Sequence, residues 1–273
     1  MILDAHQCQL GEGPLWHPLR RELFWFDILG KQLRTTSNHW QFDEYVSAAG
    51  WVDTDTLIVA SASALSRFDM KTGQSTKLCD LEADNPVTRS NDGRADPQGG
   101  FWIGTMGINA EPAAGAIYRY YKGELRKLFA DIQISNSICF APTGDTAYFT
   151  DTNTQMIMAT ALDTDGWPIG KPRIHIDLRD TAFRPDGAVV DTAGNLWSAQ
   201  WGVGRVAGYA PDGTFIQAYD LPVIQTSCPA FGGPDLSTLF CTSAAVGIDG
   251  PEDGKTFSIE TNYTGQAEHR VIL

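Results

Sequence analysis

Short apolar and aromatic runs alternate with turn residues along the chain, and the same kind of run returns at regular intervals. Each run is preceded by Asp, Pro, Gly or Asn, which favour turns. Successive runs are separated by 34, 44, 46, 49 and 43 residues. This period indicates a repeated structural unit, and short runs between turns are typical of β-strands. The runs are "RRELFWFDI" near Leu23, "TDTLIVASA" near Leu57, "QGGFWIGTM" near Phe101, "GDTAYFTDT" near Ala147, "AGNLWSAQW" near Leu196 and "LSTLFCTSA" near Leu239.

A second short strand follows most of these runs, and several of these strands then meet a turn such as "APDGTF". This order is typical of β-hairpins. No convincing stretch of 12 residues has the i, i+3, i+4, i+7 apolar spacing of an amphipathic helix. Six units of about 45 residues predict an all-β fold, a six-bladed β-propeller of four-stranded antiparallel blades. We expect a single domain over residues 1–273. A pair of β-sandwiches is the alternative, although it would show no fixed period.

The two chain ends are expected to meet where the ring closes. In a propeller, N-terminal sequence often completes the last blade. Residues 2–9 are therefore predicted to supply the outer strand of that blade, and the C-terminal "HRVIL" is expected to pair nearby.

An acid or amide residue precedes four of the apolar runs by 10 or 11 residues. Equal offsets in a propeller recur around the central axis, where the innermost strand of each blade begins. These side chains are therefore predicted to converge at one mouth of the channel. The four residues are Glu12, Asn91, Asn136 and Asp186.

Two carboxylates and two amides supply the hard oxygen ligands that Ca²⁺, Mg²⁺ and Mn²⁺ prefer, and carboxylate-rich sites also accept Zn²⁺ or Fe²⁺. A single Asn or Asp beside a glycine is usually a turn residue. Four such residues at one offset favour a divalent metal site instead. The sequence contains no GxSxG, HExxH or P-loop motif that would indicate another chemistry.

The charge and composition exclude several classes of protein. The net charge is −13 with no cluster of Lys or Arg, which argues against nucleic acid and anionic membranes as partners. The N-terminus lacks the pattern of a signal peptide, and no apolar stretch approaches the length of a membrane helix. The five scattered cysteines are typical of reduced thiols. We expect a cytoplasmic location.

Longer motifs resemble the gluconolactonase/regucalcin family, also called the senescence marker protein family, and most of all its bacterial sugar lactonases. The resemblance covers essentially the whole chain and implies a six-bladed propeller with one divalent metal ion in its channel. Its most specific pieces are "GEGPLW", "RSNDGRADPQGGFWIGTM", "ISNS" with "AYFTDT", and "RPDGAVVDTAGNLW".

The resemblance also implies roles for individual residues. Three positions match the metal ligands of the family, two match its substrate-binding Arg and Asn, and a further glutamate lies near a position that contacts substrate in some members. Ser137 stands where the family usually has glycine. The metal ligands are Glu12, Asn136 and Asp186, and the substrate-binding residues are Arg89, Asn91 and Glu111.

These residues predict metal-dependent hydrolysis of a sugar lactone to an aldonic acid. Asp186 is expected to act as general base as well as ligand, and Arg89 and Asn91 to bind sugar hydroxyls. Asp92 is expected to brace their loop. The sequence leaves open glucono-, xylono-, arabinono- and galactonolactone as substrates. The alternatives are a calcium-binding regulatory protein and a hydrolase of organophosphates or aryl esters. Arg89 argues against a simple calcium buffer, which needs no arginine facing its ion.

Overall fold

Six four-stranded antiparallel sheets form a ring, as the sequence repeat predicts. The computed structural model describes residues 1–273. The first strand of each blade neighbours the first strands of the adjacent blades, so these six strands surround the central channel. The recurring apolar run is the second strand of each blade. The one helical element is a 3₁₀ turn at Thr152–Thr154. No helix has the length and apolar character needed to cross a bilayer.

The strands are numbered in chain order, and within each blade they run from the channel outwards. Blades 1 to 3 contain β2 (Gly11–His17), β3 (Glu22–Asp27), β4 (Gln32–Arg34) and β5 (His39–Gln41); β6 (Val46–Trp51), β7 (Thr56–Ser61), β8 (Ala64–Asp69) and β9 (Gln74–Asp80); and β10 (Thr88–Ala95), β11 (Phe101–Gly107), β12 (Gly115–Tyr121) and β13 (Glu124–Ile132). Blades 4 to 6 contain β14 (Ser135–Phe140), β15 (Thr146–Asp151), β16 (Met156–Leu162) and β17 (Pro168–Asp177); β18 (Arg184–Val190), β19 (Leu196–Trp201), β20 (Arg205–Tyr209) and β21 (Phe215–Asp220); and β22 (Thr226–Gly232), β23 (Thr238–Ser243), β24 (Thr256–Glu260) and β1 (Ile2–Asp4).

The hydrophobic core lies between neighbouring blades. The buried apolar residues form six clusters, and each cluster joins one blade to the next around the ring. Trp25, Trp102 and Trp197 on the second strands of blades 1, 3 and 5 have no exposed surface. Such large rings bury much apolar area at low cost in side-chain entropy. Six separate interfaces are the packing expected of a propeller.

Every inner strand carries one extra residue relative to its partner. The pairing register shifts by one residue in each of the six innermost strand pairs. Such a β-bulge bends the strand and redirects its side chains. Glu12 and Asn136 are the last paired residues before their bulges, whereas Asn91 and Asp186 lie within theirs. This difference explains why the sequence offset is 11 residues for the first two and 10 for the others.

The N-terminal strand closes the ring, as expected. β1 pairs with β24 through Ile2 opposite Phe257, so β1 is the outermost strand of blade 6. The expectation that "HRVIL" pairs near this joint is wrong. The Val271 N–H donates to the Trp51 carbonyl of blade 2 over 2.9 Å, because the C-terminal segment crosses to the other side of the ring.

The C-terminal segment covers one end of the channel. The side-chain amide of Gln266 donates to the carbonyls of Phe140 and Val190, both over 3.0 Å. These carbonyls end the inner strands β14 and β18, so the segment lies at the far end from where those strands begin. A buried ion pair between Arg94 and Glu268 anchors it to blade 3. The opposite mouth is the one at which the polar residues lie.

Candidate active site

The structure brings together the four residues that share the sequence offset. Glu12, Asn91, Asn136 and Asp186 lie on β2, β10, β14 and β18, close to where each inner strand begins. All four are buried, with at most 6% of their surface exposed. The four side chains therefore lie at the same mouth of the channel, where the sequence offset predicts them.

The glycines beside Glu12 allow β2 to approach both neighbouring blades. A Cβ on Gly11 would lie 2.5 Å from the Ser243 carbonyl oxygen of blade 6. A Cβ on Gly13 would lie 2.3 Å from the Ser47 carbonyl oxygen of blade 2, and the φ of Gly13 is +52°. Glycine suits these positions because it has no Cβ to collide with the carbonyl oxygens and adopts a positive φ easily. The sequence "GEG" therefore places a carboxylate where three blades meet.

An amide network fixes the orientation of the two asparagines. The Asn91 Nδ2 donates to the Asn136 Oδ1 over 3.1 Å, and the Asn91 Oδ1 accepts from the Arg89 Nη1 over 2.8 Å. The Asn136 Nδ2 donates to the Thr152 hydroxyl over 2.9 Å. That hydroxyl donates in turn to the Pro185 carbonyl over 2.8 Å. The network links blades 3, 4 and 5. It also fixes which side-chain atom of each asparagine is the oxygen, since both oxygens accept a hydrogen bond.

Buried negative charge dominates the site. Burial, together with the nearby Asp92 carboxylate, raises the pKa of Glu12 to about 8. Burial and the Glu12 charge raise the pKa of Asp186 well above its usual range. Burial also raises the pKa of Asp92 to about 6 and lowers that of Arg89 to about 10. The carboxylates repel one another, and Arg89 is the one cationic side chain that lowers the pKa of Glu12 and Asp186, so a bound cation would suit this cluster.

Asp92 connects the site to the next blade, as expected for a bracing residue. Its Oδ2 accepts from the backbone N–H of Ile138 on β14 over 2.7 Å. Ile138 lies within the bulge of β14, so its N–H has no ladder partner on β15. The Asp92 carboxylate satisfies this buried donor.

Glu111 is not part of the buried group. It lies in the loop between β11 and β12, on the same face of the ring as the channel mouth. Its carboxylate accepts from the backbone N–H and the side-chain amide of Asn109, both over 3.0 Å. The residue is partly exposed, and the hydrogen bond from the Asn109 side chain lowers the pKa of its carboxyl group. Glu111 therefore lies on the face of the ring that carries the channel mouth, outside the buried group of Glu12, Asn91, Asn136 and Asp186.

The comparison with known proteins identifies the family. Residues 10–245 match the family described as SMP-30/Gluconolactonase/LRE-like region. The chain belongs to the SMP-30/gluconolactonase family. The resemblance inferred from the motifs is thereby confirmed.

Three similar proteins cover this family member almost end to end. It is 36% identical over 287 residues to an L-arabinolactonase of Azospirillum brasilense, covering 98% of this chain and 94% of that protein. It is 32% identical over 272 residues to a 6-deoxy-6-sulfogluconolactonase of Pseudomonas putida, covering 95% of this chain and 94% of that protein. The crystal structure of a calcium-binding protein, regucalcin, from Agrobacterium tumefaciens superimposes with a TM-score of 0.96 at 40% identity, covering 100% of this chain and 97% of that one.

Sequence reasoning assigned no role to Thr152, although its hydroxyl supports Asn136 in this SMP-30/gluconolactonase family chain. The only signal was its place at the end of the motif "AYFTDT". Thr152 opens the 3₁₀ turn after β15. Its contact with Asn136 crosses between strands and leaves no trace in local spacing.

A second group of possible ligand atoms lies outside the channel of this family member. Atoms of His6, Cys8 and Asp27 lie within 4.8 Å of one another. The Asp27 carboxylate, however, already accepts from the backbone N–H groups of Leu10 and Gly30, both over 3.0 Å. Asp27 therefore holds the loop that leads into β2, and we assign this group a structural role.

Proposed function

We propose that this protein is a metal-dependent lactonase that hydrolyses an aldonolactone to its aldonic acid. The observation that carries the proposal is the convergence of the Glu12 and Asp186 carboxylates with the Asn136 amide at one buried channel mouth. Relatives that cover the chain almost completely are named as sugar lactonases. We further propose that residues 1–273 act as one domain, since β1 joins the first and last parts of the chain.

The donor set fits a hard divalent cation. Glu12, Asn136 and Asp186 would hold it through one neutral amide oxygen and two carboxylates, whose charges together balance that of a divalent ion. Calcium is favoured by the calcium-binding regucalcin of the same fold, and Zn²⁺, Mn²⁺, Mg²⁺ and Fe²⁺ are the other candidates. When bound, such an ion polarises a lactone carbonyl or lowers the pKa of a water molecule.

Arg89 and Asn91 are the proposed substrate-binding pair. The Arg89 Nη1 is committed to the Ser90 carbonyl and to the Asn91 Oδ1, over 2.9 and 2.8 Å. Its Nε and Nη2 atoms have no protein acceptor among these bonds, so they are available to sugar hydroxyls or to the developing oxyanion. Glu111, in the β11–β12 loop on the same face of the ring as the mouth, is proposed to contact a hydroxyl at the outer end of the substrate.

Asp186 is the proposed general base. It would accept a proton from the attacking water as the water oxygen bonds to the lactone carbonyl carbon. The ring C–O bond then breaks, and the proton passes to the leaving ring oxygen, which becomes a hydroxyl group. Burial and the Glu12 charge raise the pKa of Asp186 in the metal-free protein. A bound cation would lower this pKa and keep the carboxylate ionised, as a general base requires.

The first experiment removes metal with a chelator and restores single ions while acid release is followed from a panel of aldonolactones. Activity should vanish without metal and return with at least one ion. Full activity in verified metal-free protein would contradict the metal dependence. If no lactone in the panel is hydrolysed with any of the ions, the proposed lactonase activity is contradicted.

The second experiment compares Asp186→Asn with Asp220→Asn. Asp220 is exposed at the end of β21 and serves as the matched control. We expect Asp186→Asn to lower kcat by roughly 100-fold or more, the usual range for a general base. Asp220→Asn should retain the wild-type rate. Equal rates for both variants would remove Asp186 from the mechanism.

A calcium-binding role without catalysis is the second candidate, favoured by the calcium-binding regucalcin structure at 40% identity. The two are separated by a calcium titration beside the lactone assay. Tight calcium binding with no hydrolysis of any lactone would support the binding role.

A further inference from the structure

Ser137 has a backbone conformation that usually belongs to glycine, and it directly follows Asn136. Its φ is +56°, in a region that L side chains rarely adopt because their Cβ crowds the backbone. The equivalent residue of blade 1 is Gly13, with a φ of +52°. There a Cβ would collide with the Ser47 carbonyl oxygen at 2.3 Å. Blade 4 accommodates a side chain at this position.

The Ser137 side chain is fully buried and connects two blades. Its Oγ donates to the backbone carbonyl of Asp186 over 2.5 Å. Asp186 lies within the bulge of β18, where the register shift leaves it without a partner residue on β19. A buried carbonyl without a donor is unfavourable. The Ser137 hydroxyl supplies the donor that the bulge removes.

We propose that Ser137 is a positioning residue for the channel site. Its hydroxyl holds the Asp186 backbone against β14 and so sets the separation between the Asn136 amide and the Asp186 carboxylate. Glycine would adopt the φ more easily but could not form this bond. Alanine would keep the crowded Cβ and also lack the bond. The inference rests on the proposed function only in that Asn136 and Asp186 hold the ion.

The test compares Ser137→Gly and Ser137→Ala with Ser135→Ala. Ser135 is a matched control because it lies on the same strand, is fully buried, and has a hydroxyl without a hydrogen-bond partner. Calorimetric titration of the metal-free proteins with Ca²⁺, Mn²⁺ and Zn²⁺ gives ion affinity. Thermal unfolding and lactone kinetics are measured in parallel.

Both Ser137 variants should bind the ion about tenfold more weakly, the effect of losing a buried hydrogen bond. Ser135→Ala should remain within about twofold of the wild type, since no bond is lost. Ser137→Gly should unfold no earlier than Ser137→Ala, because glycine relieves the backbone crowding. Weaker ion binding in a variant of unchanged thermal stability is a result that a purely structural role does not give.

Wild-type ion affinity and kinetics in Ser137→Gly would overturn the proposal, even if Ser137→Ala were impaired by its crowded Cβ. If the wild-type protein hydrolyses a lactone, this result would still leave the proposed lactonase function standing. A wild type that binds ions but hydrolyses no lactone would contradict the function, and the titrations would still decide the role of Ser137. A wild type that binds none of the three ions overturns the positioning role.

Discussion

The side-chain amide of Asn91 donates to the side-chain oxygen of Asn136 over 3.1 Å, and this bond joins the inner strands of blades 3 and 4. Asn91 also accepts from Arg89. One residue therefore connects the proposed metal-binding side of the site to its proposed substrate-binding side. Loss of Asn91 would disturb both sides together.

Replacement of Asn91 by alanine is expected to lower kcat/KM for an aldonolactone by roughly 100-fold, as removal of one preorganised polar group in an active site does. Steady-state kinetics with the restored metal ion measures this. Asn38→Ala is the control, since Asn38 is exposed in the turn between β4 and β5. A rate for Asn91→Ala equal to that of the control would place Asn91 outside the reaction.

The stability of the metal-free protein should fall as pH rises. The pKa of Glu12 is raised from 4.5 to about 8 in the fold, so the folded state binds more protons than the unfolded state between these values. The contribution is fully present below pH 4.5 and is lost as pH rises through about 8. Because the ion competes with this proton, its stabilising effect should grow over the same interval.

Thermal unfolding with and without the ion at pH 5 and pH 8 checks this, and the Tm gain should be larger at pH 8. Glu12→Gln should show a weaker pH trend because the titrating group is absent. A metal-free protein that becomes more stable from pH 5 to pH 8 would contradict the expected trend.

The ion pair of Arg94 and Glu268 should contribute strongly to stability. Both side chains are at most 10% exposed. Glu268→Ala leaves a buried guanidinium without its partner, which typically costs about 3–5 kcal/mol of unfolding free energy. Urea denaturation measures the loss. Glu124→Ala breaks the exposed pair with Arg126 and is expected to change little. Equal stability of the two variants would show that the C-terminal segment is not anchored by this pair.

Glu111→Gln is expected to raise KM and leave kcat nearly unchanged, because the partly exposed Glu111 lies outside the buried group of Glu12, Asn136 and Asp186. Loss of one substrate hydrogen bond would raise KM by roughly 2- to 10-fold. Initial rates over a range of lactone concentrations separate the two constants. Glu124→Gln, on the opposite face, is the control. A large fall in kcat at unchanged KM would instead place Glu111 at the reacting atoms.

The sequence repeat by itself determined the ring of blades and which residues lie at its central channel. Apolar runs at intervals of 34 to 49 residues define blades because each blade must bury both faces against its neighbours. Equal offsets then selected Glu12, Asn91, Asn136 and Asp186, since the ring turns an offset in sequence into a position around the axis. The glycines beside Glu12 were also visible in the sequence, although the carbonyls they accommodate were not.

Only the tertiary structure decided how those residues contact one another. The bond from Asn91 to Asn136 and the bond from Ser137 to the Asp186 carbonyl join residues more than 40 positions apart. The path of the C-terminal segment to Arg94 is likewise absent from any local pattern. Period and offset report which strand a residue occupies, whereas the bulges and the packing of one blade on the next determine which atoms meet.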